Sequence, residues 1–194
     1  MPDITFPFIV SAFPGTDLWR KPPSTDDKNA PIKTHTKAPL TSLLSATVTF
    51  STVYTTQFDQ AGLVLTITNP VTGARKWIKA GVEFFDDQPR LSIVCCDNWS
   101  DWSVAPLDGR VSGAVKLGEK AVTVRLQRNG ETVWVYYIDD EGRRVPLREI
   151  AWVYGDSGGE GWEVEVGAVV ARPNKDVKGE LEATFHSLNV ELQQ

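Results

Sequence analysis

From about residue 45 to the C-terminus, apolar and polar residues take turns along the chain. In "ATVTFS" (46–51), Ala46, Val48 and Phe50 share one parity, and Thr47, Thr49 and Ser51 the other. Successive side chains of an extended chain point to opposite faces, so this spacing predicts a half-buried strand. It returns in "LVLTI" with Leu63, Leu65 and Ile67, in "WIKAGVEF" with Ile78, Ala80, Val82 and Phe84, and in "RLSIVC" with Leu91, Ile93 and Cys95. "VTVRL" and "VWVYYI" flank Asn129-Gly130, a pair suited to the positive φ angles of a tight hairpin. "DDEGRR" (139–144) marks a further turn, and "VEVGAVVARP" and "LEATFHSLNVEL" supply the last strands. A helical period is nearly absent; only "TSLLSA" and "PLREIAW" suit short helical turns. Many short strands with turns between them predict an all-β fold. They are too numerous for a small barrel and fit a two-sheet antiparallel jelly-roll sandwich.

Residues 14–44 break the alternation. Pro14, Pro22, Pro23, Pro31 and Pro39 fall here among few large apolar residues. Proline removes a backbone donor, so the segment is expected to form neither helix nor central strand. It should run extended over the sandwich, pinned by Trp19. The whole chain, 1–194, then makes a single domain, which suits its 194 residues.

Hydrophobic residues make up 41% and charged residues 23%, the profile of a globular protein. The net charge of −5, with no basic stripe, argues against a nucleic-acid partner. No apolar run approaches the ~18 residues of a membrane span. The N-terminal "MPDITFPFIVSAFPGTD" has no basic lead and is broken by prolines, so it is read as structure and not as a signal peptide. Cys95 and Cys96 are adjacent on a strand and point to opposite faces, which disfavours a disulfide between them. No His is spaced nearby to complete a zinc site. Two buried, reduced thiols in a cytoplasmic protein without metal or cofactor is the expectation.

The candidate chemistry lies on the polar parity of residues 77–84. Trp77, Lys79, Gly81 and Glu83 should project from one side of a strand, Lys79 and Glu83 being ~13 Å apart along it. Gly81 would leave an open floor between them. An aromatic ring offers a platform to the apolar face of a sugar, and charged groups take its hydroxyls. Arg90 and Ser92 share the parity on the next strand. "WSDWS" adds Asp101 and Trp102 in an expected loop, and later strands add Arg125, Trp134 and Tyr136. The plain alternative is a solvated cross-strand charge pair worth ~0.2–1 kcal/mol. Glu163 and Glu165 share a face at ~7 Å, near the separation of an inverting glycosidase pair, but lack the further acidic residues of such sites. His35 and His186 sit in no triad-like order, and no phosphate-binding or dinucleotide fingerprint occurs.

The ordered run "QAGLVLTI", "RKWIKAGVEF", "QPRLSIV", "NWSDWSVAPL" between residues 60 and 107 resembles the DUF1349 family. It is similar above all to the fungal branch named after the yeast regulation-of-enolase protein. "TDLWRKPP" (16–23), "NAP" (29–31), "LRE" (147–149) and "VGAVVARP" (166–173) extend the resemblance to nearly the whole chain. It implies the concanavalin A-like lectin/glucanase fold. It also implies a non-catalytic regulatory role in carbohydrate metabolism, with enolase or another metabolic enzyme as partner and a carbohydrate or small molecule as ligand on the concave sheet. The alternative is an isomerase, cyclase or glycosidase working on that face, with Glu83, Lys79 and Asp101 as catalytic residues. A buried titratable group with a displaced pKa would favour the enzyme.

Overall fold

The computed structural model describes residues 5–193. The chain folds into two six-stranded antiparallel sheets packed face to face. The first runs β1 (Phe8–Ala12), β14 (Leu181–Leu192), β5 (Leu43–Thr52), β10 (Val122–Asn129), β11 (Thr132–Ile138) and β12 (Arg144–Ile150). The second runs β4 (Ile32–Pro39), β13 (Glu163–Ala171), β6 (Gln60–Thr68), β7 (Arg75–Phe85), β8 (Gln88–Cys96) and β9 (Ser100–Pro106). A hairpin of β2 (Leu18–Lys21) and β3 (Thr25–Lys28) lies apart from both.

The alternating residues become the core. Ala46, Val48 and Phe50 of β5 meet Leu63, Leu65 and Ile67 of β6 and Ile78, Ala80 and Val82 of β7 in one continuous cluster. Gly130 takes the positive φ of the β10–β11 hairpin. A second, smaller cluster forms on the outer side of the second sheet. There Val64, Trp77, Cys96, Val169 and Ala171 are covered by Leu18 and Ala30. These five belong to the polar parity of their strands or to continuous apolar runs, and the lead-in makes that side of the sheet buried too.

Three expectations are sharpened or corrected. Residues 14–44 hold β2, β3 and β4, the last at a sheet edge where proline is tolerated. "PLREIAW" is mostly β12, another edge strand, with Pro146 beside a register shift. "TSLLSA" is one 3-10 turn leading into β5. One short helix went unread: α1 (Gly109–Lys116), where the Asp108 carboxylate accepts the Arg110 N–H at its start.

Candidate functional site

Antiparallel pairing sets residues of the outer face side by side in rows across the second sheet. Lys79 stands between Val64 and Val94, with Trp102 beyond, and Glu83 stands between Gln60 and Arg90. Gly81 separates Lys79 from Glu83 along β7. A cavity of about 580 Å³ opens over Lys79 and Glu83. Its walls come from three places: Asp17, Trp19 and Lys21 on the lead-in, Gln57 and Phe58 before β6, and Pro173 and Asn174 after β13.

Both charges at its floor are buried, Glu83 being 4% and Lys79 7% exposed. Removing an ion from water is expensive unless partners replace the lost solvation. The Lys79 ammonium donates to the Leu18 carbonyl at 3.2 Å and to Asp17 Oδ1 at 3.3 Å. Asp17 Oδ1 also accepts the Leu18 N–H at 2.7 Å, and the Asn29 side chain holds the Asp17 backbone. Glu83 Oε2 accepts from the Ser92 hydroxyl at 2.7 Å, and Ser92 accepts the Trp102 indole N–H at 3.1 Å. Burial pushes the Glu83 carboxyl above its ordinary range, and the Lys79 charge and these donors offset that only in part. A carboxyl so placed exchanges its proton nearer neutrality than an exposed one does.

The rim is aromatic. Phe58 sits with φ 70°, a region a bulky side chain rarely enters. Its ring packs edge-on to Trp102 at 6.2 Å and near Phe85 at 6.0 Å. The turn behind it is fixed by Asp59, fully buried, whose carboxylate accepts the Thr56 N–H at 3.0 Å and pairs with Arg172 at 3.2 Å.

Of the residues singled out in the sequence, Lys79, Glu83, Ser92 and Trp102 come together here. Trp77 points to the same side but lies under the β2–β3 hairpin, with the guanidiniums of Arg20 and Arg75 4.7 and 4.9 Å from its ring; it packs and does not line the cavity. Gly81 is no open floor. A Cβ there would lie 2.1 Å from the Ala61 carbonyl oxygen, because β6 passes close at Gly62. Arg90 is the cross-strand neighbour of Glu83 but stands outside the cavity lining, with no ion pair to Glu83 among the described residues. Asp101 alternates with Trp102 and so faces away, pairing with Arg148 at 3.2 Å. Arg125, Trp134 and Tyr136 belong to the other sheet, on its solvent face. There Trp134 and Tyr136 stack on each other at 6.1 Å, Arg144 lies over Tyr136 at 5.4 Å, and Arg125 pairs with Glu191 at 3.0 Å. Glu163 and Glu165 share Lys37 at 3.0 and 3.4 Å at the sheet margin. His35 and His186 contact Thr36 and Ser51. Parity on one strand could not show which strands bring their polar sides together. The cavity walls missed, notably Asp17, Gln57 and Asn174, lie in irregular segments with no period to read.

No cluster of three or more metal-ligating side chains occurs among the described residues. Cys95 and Cys96 are both free and buried, one toward the core and one under the hairpin. No helix among the described residues is long and apolar enough to cross a membrane.

A family model described as a protein of unknown function, DUF1349, matches residues 7–193. An uncharacterised protein of Emericella nidulans is 37% identical over 187 residues, covering 95% of this chain and 86% of that protein. The crystal structure of a functionally unknown protein from Saccharomyces cerevisiae superposes with a TM-score of 0.73 at 19% identity, over 100% of this chain and 95% of that one. A GH43 protein from Bacillus licheniformis gives 0.62 at 12% identity, over 96% of this chain and 33% of its own. An alginate lyase from Klebsiella pneumoniae gives 0.53 at 14%, over 77% and 59%. At such identities these likenesses bear on the fold, which is a concanavalin A-like jelly roll.

Proposed function

This chain belongs to the DUF1349 family, and we propose that it binds a small polyhydroxylated, carbohydrate-like molecule in the cavity above β7. One observation carries the reading: two opposite charges, both nearly excluded from water, face a cavity of about 580 Å³ rimmed by Trp19, Phe58 and Trp102. A stack of solvated strand charges would need neither the burial nor the cavity. Aromatic faces suit the C–H side of a sugar ring, and Lys79, Glu83, Gln60 and Asn174 suit its hydroxyls. Structural neighbours are named as a GH43 protein, of which a third is matched, and an alginate lyase, names that support the class of ligand without assigning a residue.

Saturation-transfer NMR with a panel of aldoses, alditols and sugar acids tests this. Transfer to at least one of them is expected, weakened in Trp19→Ala by about 0.5–1.5 kcal/mol, the worth of one aromatic contact. Absence of transfer across the panel, or transfer indifferent to Trp19, overturns the reading. A cytoplasmic location belongs to the same proposal, on the strength of the two unbridged thiols. So does the regulatory partnership with enolase or another metabolic enzyme, which rests on the family resemblance and on no residue of the cavity. Co-sedimentation with enolase checks it, and two independent boundaries at high protein concentration remove it.

A further inference from the structure

We propose that the cavity is catalytic, and that Glu83 and Lys79 act as a general base and a general acid that open and reclose the ring of a bound reducing sugar, interconverting its anomers. The inference rests on the polyol-binding reading above and adds a reaction to it.

Glu83 uses Oε2 for the Ser92 hydroxyl. No hydrogen bond from the described residues reaches its Oε1, the Trp102 indole N–H that steadies the carboxylate being bonded to Ser92, and Glu83 lines the cavity. Lys79 uses two of its three N–H donors, on Asp17 and Leu18. One acceptor and one donor are thus left on two residues that line the same cavity. Ser92, Trp102 and Asp17 fix both groups, so neither has to be ordered when a ligand arrives.

The pair matches the demands of ring opening. Glu83 as carboxylate takes the proton of the anomeric hydroxyl. The electrons of that O–H bond form the C1=O1 carbonyl, and the C1–O5 bond breaks with its pair left on the ring oxygen. The ring oxygen takes a proton from the Lys79 ammonium. After rotation about C1–C2 the ring oxygen attacks the other face of the carbonyl, and both protons return to where they started. Burial raises the proton affinity of Glu83 and makes it a stronger base than an exposed carboxylate. Glycoside cleavage makes a different demand, two carboxyl groups free to act on one bond. Here Asp17, the other carboxylate of the cavity, is committed through Oδ1 to Lys79 and the Leu18 N–H, and ring opening asks for one base and one acid, which Glu83 and Lys79 supply.

Exchange NMR between the α and β anomers of D-glucose, D-galactose, D-mannose and D-xylose tests the proposal. The methyl glycoside of each sugar, which lacks the anomeric hydroxyl proton, serves as a binding control. With the wild-type protein, anomer exchange of at least one sugar should exceed the spontaneous rate and fall as pH drops and Glu83 takes its proton. Glu83→Gln, nearly isosteric, should lose about 10²-fold or more of the acceleration while still binding the methyl glycoside. Arg125→Ala, on the opposite sheet, should leave it unchanged. A sugar that binds and exchanges at the spontaneous rate overturns the catalytic inference and leaves the binding reading standing. Failure of every sugar and glycoside to bind overturns both.

Discussion

Glu83 is the residue in which stability and function pull apart. Its carboxyl holds its proton more tightly in the folded chain than in the unfolded one, because burial outweighs Lys79 and Ser92. The stability linked to that group is therefore fully present below the ordinary carboxyl value of 4.5 and is lost as pH rises through the higher folded value. At pH 7 to 8 the buried charge is a liability, and Glu83→Gln should remove it while keeping a partner for Ser92. The melting temperature of Glu83→Gln should exceed that of the wild type in that range, and the gap should close as pH is lowered toward about 4. Thermal scans across pH read this directly; a glutamine variant several degrees less stable at pH 8 would mean that the charge holds the fold together. Gly81, two residues away, shows the opposite kind of constraint. Its lack of a side chain serves the close approach of β6 and not a ligand.

The decisive element is the β2–β3 hairpin. It presents Trp19 and Lys21 to the cavity and places Asp17 and the Leu18 carbonyl against Lys79. What anchors it is Trp77, fully buried, with Arg20 and Arg75 on its ring and Asp26 accepting from both guanidiniums at 3.0 Å. The two exposed-side ion pairs contribute little alone. The indole contributes more, since truncating a buried aromatic costs about 3–5 kcal/mol. Trp77→Ala should lower the melting temperature by roughly 10 °C, taking about 2–4 °C per kcal/mol for a chain of this size. It should also loosen the hairpin enough for trypsin to cut after the exposed Lys28 and abolish ligand binding, although Trp77 touches no ligand. Unchanged tryptic protection at Lys28 would show that the hairpin is held by its other contacts.

At the level of the whole molecule, one apolar cluster draws on both sheets from β1 to β14. The accessible surface is 9500 Å², close to the ~9200 Å² that surface scaling gives for a compact single chain of this mass. We expect one cooperative unfolding transition, with strand circular dichroism and tryptophan fluorescence coinciding on a denaturant titration. A separate early fluorescence change would instead make the lead-in and its cavity an independent unit. β1 pairs with β14, so the two ends of the described chain close the same sheet and should unfold together.

The strands and the core parity were legible from the amino acids alone, because alternation reports one buried face whatever partner covers it. Ala46, Val48, Phe50, Ile78 and Val82 needed no tertiary information to be placed inside. Lys79, Glu83 and Ser92 could likewise be put on the other side of their strands, whereas Trp102, expected in a loop, sits on β9. Their grouping into one cavity came from pairing: strand order sets Trp102 beside Val94 and Lys79, and sends Trp134 and Tyr136 to the other sheet. The burial of Trp77, and with it the hairpin, depended on a segment far away in the chain. Local periodicity records which way a side chain points. What lies in front of it is decided by long-range packing of residues that have no period of their own.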